Sequence, residues 1–134
     1  MSGRRARTPA TKSQQEFVSE AEELLEQLRS GLADLRDGLA AGAAPAPVVN
    51  DLFRAAHTLK SVAGLFEIDP IRELAHQLEE VLDGLRMGRV PDAAAAAQCI
   101  AEAVAIFAEL LPRLGDPAAI AELEAPTRAL CQRI

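Results

Sequence analysis

The chain has 134 residues, the length of one domain, with 14 Lys and Arg against 20 Asp and Glu. Four of the basic residues (Arg4, Arg5, Arg7 and Lys12) stand in an acid-free N-terminal segment, so residues 13–134 hold 10 basic against 20 acidic residues, a net charge of −10. So acidic a body excludes nucleic acid as the main partner, because phosphate backbones need a basic footprint.

Residues 1–12 are polar and basic without apolar periodicity, and are read as a flexible tail. Residues 13–134 form the domain, and nearly all of it scans as helix. Aromatic residues are 3% of the chain, Trp and Tyr are absent, and Ala, Leu and Glu, which favour helix, dominate. The first predicted helix runs from Ser13 to Leu39. Phe17, Ala21, Leu24, Leu25, Leu28, Leu32, Leu35 and Leu39 recur at spacings of three and four as one apolar stripe. Ser13 followed by Glu16 reads as a capping box. The Gly and prolines of residues 41–47 then predict a loop.

The second helix spans Val48 to Phe66, with stripe Val49, Leu52, Phe53, Ala56, Leu59, Ala63 and Phe66. Asp69-Pro70 reads as a cap followed by proline at the first helical position. The third helix then runs to Met87 on Ile71, Leu74, Ala75, Leu78, Leu82 and Leu85, with Gly88 as its C-terminal cap. An Ala-rich fourth helix covers Asp92 to Leu111 and stops near Pro112 and Gly115. The last begins at Asp116-Pro117, and Pro126 should kink or split it. The expectation is an all-α fold, an antiparallel four-helix bundle with an additional C-terminal helix.

Cys99 and Cys131 have no CxxC partner and no secretory signal precedes them, so both are read as free thiols in a reducing, cytoplasmic compartment. The longest apolar stretch, Ala93 to Leu111, is interrupted by Glu102 and Glu109 and reads as a bundle helix, not a membrane span. One apolar stripe per helix suits a monomer.

Chemistry concentrates in residues 53–68, FRAAHTLKSVAGLFEI, and 73–83, ELAHQLEEVLD. On a helical wheel His57 falls about 120° from the centre of the second stripe, on a flank that meets solvent. Ser61 and Gly64 follow nearly in line with it, and both are small. A Gly inside a helix costs roughly 1 kcal/mol relative to Ala. Close approach of another helix or of a partner beside His57 would offset that. Lys60 reaches toward the same flank. On the third helix His76 and Glu79 are neighbours off the apolar stripe. Antiparallel packing of the two helices would gather His57, Lys60, His76 and Glu79 in one patch. There Glu79 could fix the imidazole tautomer and Lys60 could attract a phosphoryl group as a point charge. Phosphoryl transfer asks mainly for such positioning and charge.

The run AHTLKSVAGLF resembles the signature of histidine phosphotransfer (HPt) domains, and LFRAAHTLKSVAGLF more closely resembles the phosphotransfer domain of CheA-type chemotaxis histidine kinases. FVSEAEELLEQL resembles that family's first helix. The resemblance covers Phe17 to Arg89 by motif and residues 90–134 by helical pattern only. It implies His57 as phosphoacceptor, Lys60 as a phosphoryl-stabilising residue, and Glu79 with His76 as a network orienting the imidazole. It implies as partners the ATP-binding domain of a histidine kinase and a response-regulator receiver domain, with no cofactor. Two positions depart from the family: Ser61 and Glu67 stand where Gly is common. No Gly-rich nucleotide loop is visible, so the module is not an enzyme by itself.

Two other classes compete. His57, His76 and Glu79 could bind a divalent metal, but bundle metal sites point inward and Lys60 would repel a cation. A docking bundle without covalent chemistry would instead rest on its first amphipathic helix.

Overall fold

The computed structural model describes residues 12–114, 116–122, 125–126 and 129. Helix α1 spans Lys12–Ala40, α2 Ala46–Leu65, α3 Asp69–Arg86 and α4 Ala93–Leu110. A 3₁₀ turn at Leu111–Arg113 and a short α5 at Pro117–Glu122 complete the described elements. The short connections at 41–45, 66–68 and 87–92 reverse the chain each time, so α1 to α4 run up and down. Each of these four helices packs against two others, in the ring order α1, α2, α3, α4. This is the all-α bundle that the periodicity predicts.

The stripes become the core. Phe17, Leu28 and Leu35 of α1, Leu52 and Leu59 of α2, Leu74, Leu78 and Leu82 of α3, and Ile100 and Phe107 of α4 are all fully buried. Leu39, Phe66 and Leu85 pack only partly buried at its edge. The segment Ala93–Arg113 is apolar and long enough to cross a membrane by composition. Here Ala97, Ile100, Ala103, Val104, Phe107 and Leu110 face the core.

The boundaries depart from the sequence reading in instructive places. Lys12 and Ser13 are both helical, so Ser13 does not stand at a capping position. The prolines of the first connection open a helix rather than prolong a loop. Pro45 is the N-cap of α2 and Pro47 sits in its first turn, where a missing N–H has no intrahelical partner to lose. Ile68, not Asp69, is the N-cap of α3, with Asp69 in its first turn. Asp92 caps α4 by accepting from the Ala95 N–H at 3.1 Å.

Two helix ends repeat one hydrogen-bond pattern. After α2, Ile68 N–H donates to the Ala63 carbonyl and Glu67 N–H to that of Gly64; after α3, Arg89 N–H donates to Gly84 and Gly88 N–H to Leu85. This is the Schellman arrangement, whose turning residue takes positive φ. Gly88 has φ +71°, and Glu67 holds the equivalent place at +59°.

Cys99 is a free, half-buried thiol. Residues 1–11, Cys131, and Leu123, Glu124, Thr127 and Arg128 around Pro126, on which the expected break turns, lie outside the described set.

Candidate functional site

The α2–α3 pair places the chemistry. Burial of Leu59 and Ala63 of α2 and of Leu74 and Leu78 of α3 in one core fixes the rotation of both helices about their axes. His57 is then turned to the flank, with 55% of its side chain exposed. Glu79, read as off the apolar stripe, is buried, with only 12% of its side chain exposed. It is the sole buried polar or charged side chain among the described residues. No buried side-chain nitrogen or oxygen there lacks a partner.

The Glu79 carboxylate is the hub. One oxygen, Oε2, pairs with His57 Nδ1 at 2.5 Å, and the other, Oε1, accepts from Lys60 Nζ at 2.6 Å. Burial alone would raise the carboxyl pKa, but the hydrogen bonds and charges of Lys60 and His57 outweigh it and hold the group below its usual range. An ionised carboxylate can only accept, so Nδ1 is the donor in this pair. In the neutral imidazole with that tautomer, Nε2 carries the lone pair.

His76 joins more loosely. Its Nδ1 lies 3.8 Å from Glu79 Oε1 and its Nε2 3.6 Å from Glu80 Oε2, beyond hydrogen-bonding distance. Lys60 is engaged by Glu79, not standing free beside the ring. An ammonium has three N–H donors, so this bond leaves it the capacity to meet a further anion.

Ser61 is exposed and Gly64 half-buried on the ridge beyond His57, and Leu65 follows, 78% exposed. Within the chain, a Cβ at Gly64 would meet only the flexible Cδ of Arg72, at 3.3 Å. The neighbouring helix α3 reaches Gly64 through that one side chain.

Phe53 packs against the core, as its place in the stripe predicts, but is only half-buried. Its ring lies 6.4 Å from that of His57 and within 12° of parallel. The guanidinium carbon of Arg86 stands 4.3 Å from the centre of the Phe53 ring. Arg86 in turn donates to Asp83 at 2.5 Å. Sequence reasoning passed over Arg86 and Asp83. The available signal was their i, i+3 spacing on α3, one and two turns beyond Glu79.

Among the described residues no group of three His, Cys, Asp or Glu is disposed to hold a metal ion. The carboxylate that such a site would need is taken by Lys60 and His57.

The Hpt domain family model matches residues 13–116. Over 74 residues, 55% of this chain, the sequence is 45% identical to the chemotaxis protein CheA of Cereibacter sphaeroides, covering 11% of that protein. Over an equal length it is 40% identical to the CheA of Rhizobium meliloti, covering 9%. It is 36% identical over 75 residues, 56% of the chain, to that of Treponema pallidum, again covering 9%. The chain thus matches about a tenth of the length of these relatives. A family match running from residue 13 to residue 116 takes in all four bundle helices, and by it the chain belongs to the Hpt domain family and is a phosphotransfer module.

Proposed function

We propose that His57 is the phosphoacceptor, and that it takes its phosphoryl group from the ATP-bound catalytic domain of a histidine kinase and passes it to an aspartate of a response-regulator receiver domain. One observation carries this reading: Glu79 holds Nδ1 while more than half of the His57 side chain is exposed. The Nε2 lone pair attacks the γ-phosphorus of ATP, a P–N bond forms, and the bond to the ADP oxygen breaks. The ring keeps its Nδ1 proton and becomes cationic, and the Glu79 carboxylate stabilises that charge, much as an orienting acid does in a catalytic triad. In the second transfer a receiver carboxylate oxygen attacks phosphorus, the P–N bond breaks, and Nε2 recovers its lone pair.

Lys60 supports both steps by offering N–H donors to phosphoryl oxygens, and His76 closes the Glu79 network on its outer side. Ser61 and Gly64 keep the ridge beside His57 low enough for a partner domain to approach. The similarity to CheA proteins favours chemotaxis-type signalling as the pathway class, the need for ATP favours a cytoplasmic module, and one apolar stripe per helix favours a monomer.

The test is transfer of label from radioactive ATP by a CheA-type kinase core. The expected product is acid-labile and alkali-stable, and it disappears in His57→Gln while the helical circular dichroism stays. Label that persists in His57→Gln overturns the assignment.

A further inference from the structure

A single hydrogen bond fixes one atom of an imidazole. Glu79 holds Nδ1 of His57, yet the ring plane can still turn about that contact, and turning it swings Nε2 away from an incoming phosphorus. In-line phosphoryl transfer depends on the direction of that lone pair. A second constraint on the ring plane is therefore needed, and Glu79 does not supply it.

We propose that Phe53 is that constraint, a positioning residue that sets the plane of the His57 ring, and that Arg86 holds Phe53 in place from α3. The proposal rests on the phosphohistidine reading above. Phe53 lies one helical turn before His57 on the same face. The two rings are within 12° of parallel with centroids 6.4 Å apart, inside the range in which aromatic rings interact in offset stacks. The Phe53 ring is itself pinned by the Arg86 guanidinium at 4.3 Å, a cation–π distance. Asp83 anchors that guanidinium at 2.5 Å, and its other oxygen lies 3.4 Å from Arg89 Nη2. Phe53, Glu79, Asp83, Arg86 and Arg89 line one shallow cleft, so the clamp and the Glu79 hub adjoin. Phe53 is half-buried at the edge of the core, and its ring lies between the imidazole and a cation.

The test compares Phe53→Leu, which keeps apolar bulk without a ring, with Phe53→Tyr, which keeps the ring. Proton–carbon NMR of the unphosphorylated chain reads the ring-current shift of the His57 ring protons. The shift should vanish in Phe53→Leu, survive in Phe53→Tyr, and leave His76 unmoved. Phosphorylation by a CheA-type kinase core with ATP should slow about tenfold at saturation in Phe53→Leu, with little change in half-saturating concentration. Phe53→Tyr should recover to within about twofold of wild type. Should Phe53→Leu lose its helical signal, Arg86→Gln carries the test, because Arg86 is exposed. It should slow phosphorylation in the same sense by about threefold. Equal rates for wild type and Phe53→Leu, or equally slow Leu and Tyr variants, overturn the positioning role alone. No label on the wild type overturns the phosphohistidine reading and the positioning role with it.

Discussion

Glu79 meets two opposed demands at the residue scale: it is buried, and it is ionised. Lys60 and His57 reconcile them, and the lowered pKa records the balance. Because the folded-state pKa lies below the unfolded value, the ionised group contributes stability that is complete above the unfolded pKa and disappears as pH falls through the folded one. Urea unfolding should therefore show wild type more stable than Glu79→Gln above about pH 4.3, with the difference closing as the solution is acidified further. A pH-independent difference would mean that Glu79 acts by shape alone. His57, Lys60, His76 and Glu79 were legible as a patch, since helical spacing alone places them on facing flanks. The burial of Glu79 was not, because it follows from how deeply α2 and α3 interlock, which neither stripe states. The contact of Phe53 with His57 was not legible for a related reason: at i−4 from His57 it satisfies the apolar period and borders the site at once.

At the scale of single elements, caps carry information that periodicity lacks. The α2 and α3 ends share one hydrogen-bond pattern, yet one turns on Gly88 and the other on Glu67 at φ +59°. A side-chain-bearing residue in that region pays roughly 1–2 kcal/mol in crowding between Cβ and the following carbonyl. Glu67→Gly relieves it but adds freedom to the unfolded chain. The net expectation is a gain of about 0.5–1 kcal/mol, read as a rise of several degrees in melting temperature. An unchanged or lower melting temperature would show that the Glu67 side chain has compensating contacts. The helix starts were read less well than the helix bodies. Pro45 and Pro47 look like loop residues in isolation, although proline in a first turn is compatible with helix.

Across the whole molecule, the bundle is tightest where small residues meet large ones. A Cβ at Gly31 of α1 would fall 2.6 Å from Cδ2 of Leu52, a side chain 1% exposed and with nowhere to move. Gly31→Ala should destabilise the fold by about 1–3 kcal/mol despite its better helix propensity. Denaturant titration measures this, and a stabilised variant would mean that α1 and α2 can slide apart freely. The helix count and the core were legible because four amphipathic stripes joined by short connections have few ways to close. The ring order of the helices and the Gly31–Leu52 contact were not, since both depend on which stripes meet.

Every group at the site, Phe53 and Arg86 included, comes from α2 and α3, which are joined by residues 66–68 alone. The reactive unit is thus a contiguous stretch of about 34 residues by sequence, and α1 and α4 act on it as a chassis acts on an engine. A designer could transplant the stretch from Phe53 to Arg86 onto another helical frame that presents the same apolar seat, and the proposed chemistry should travel with it.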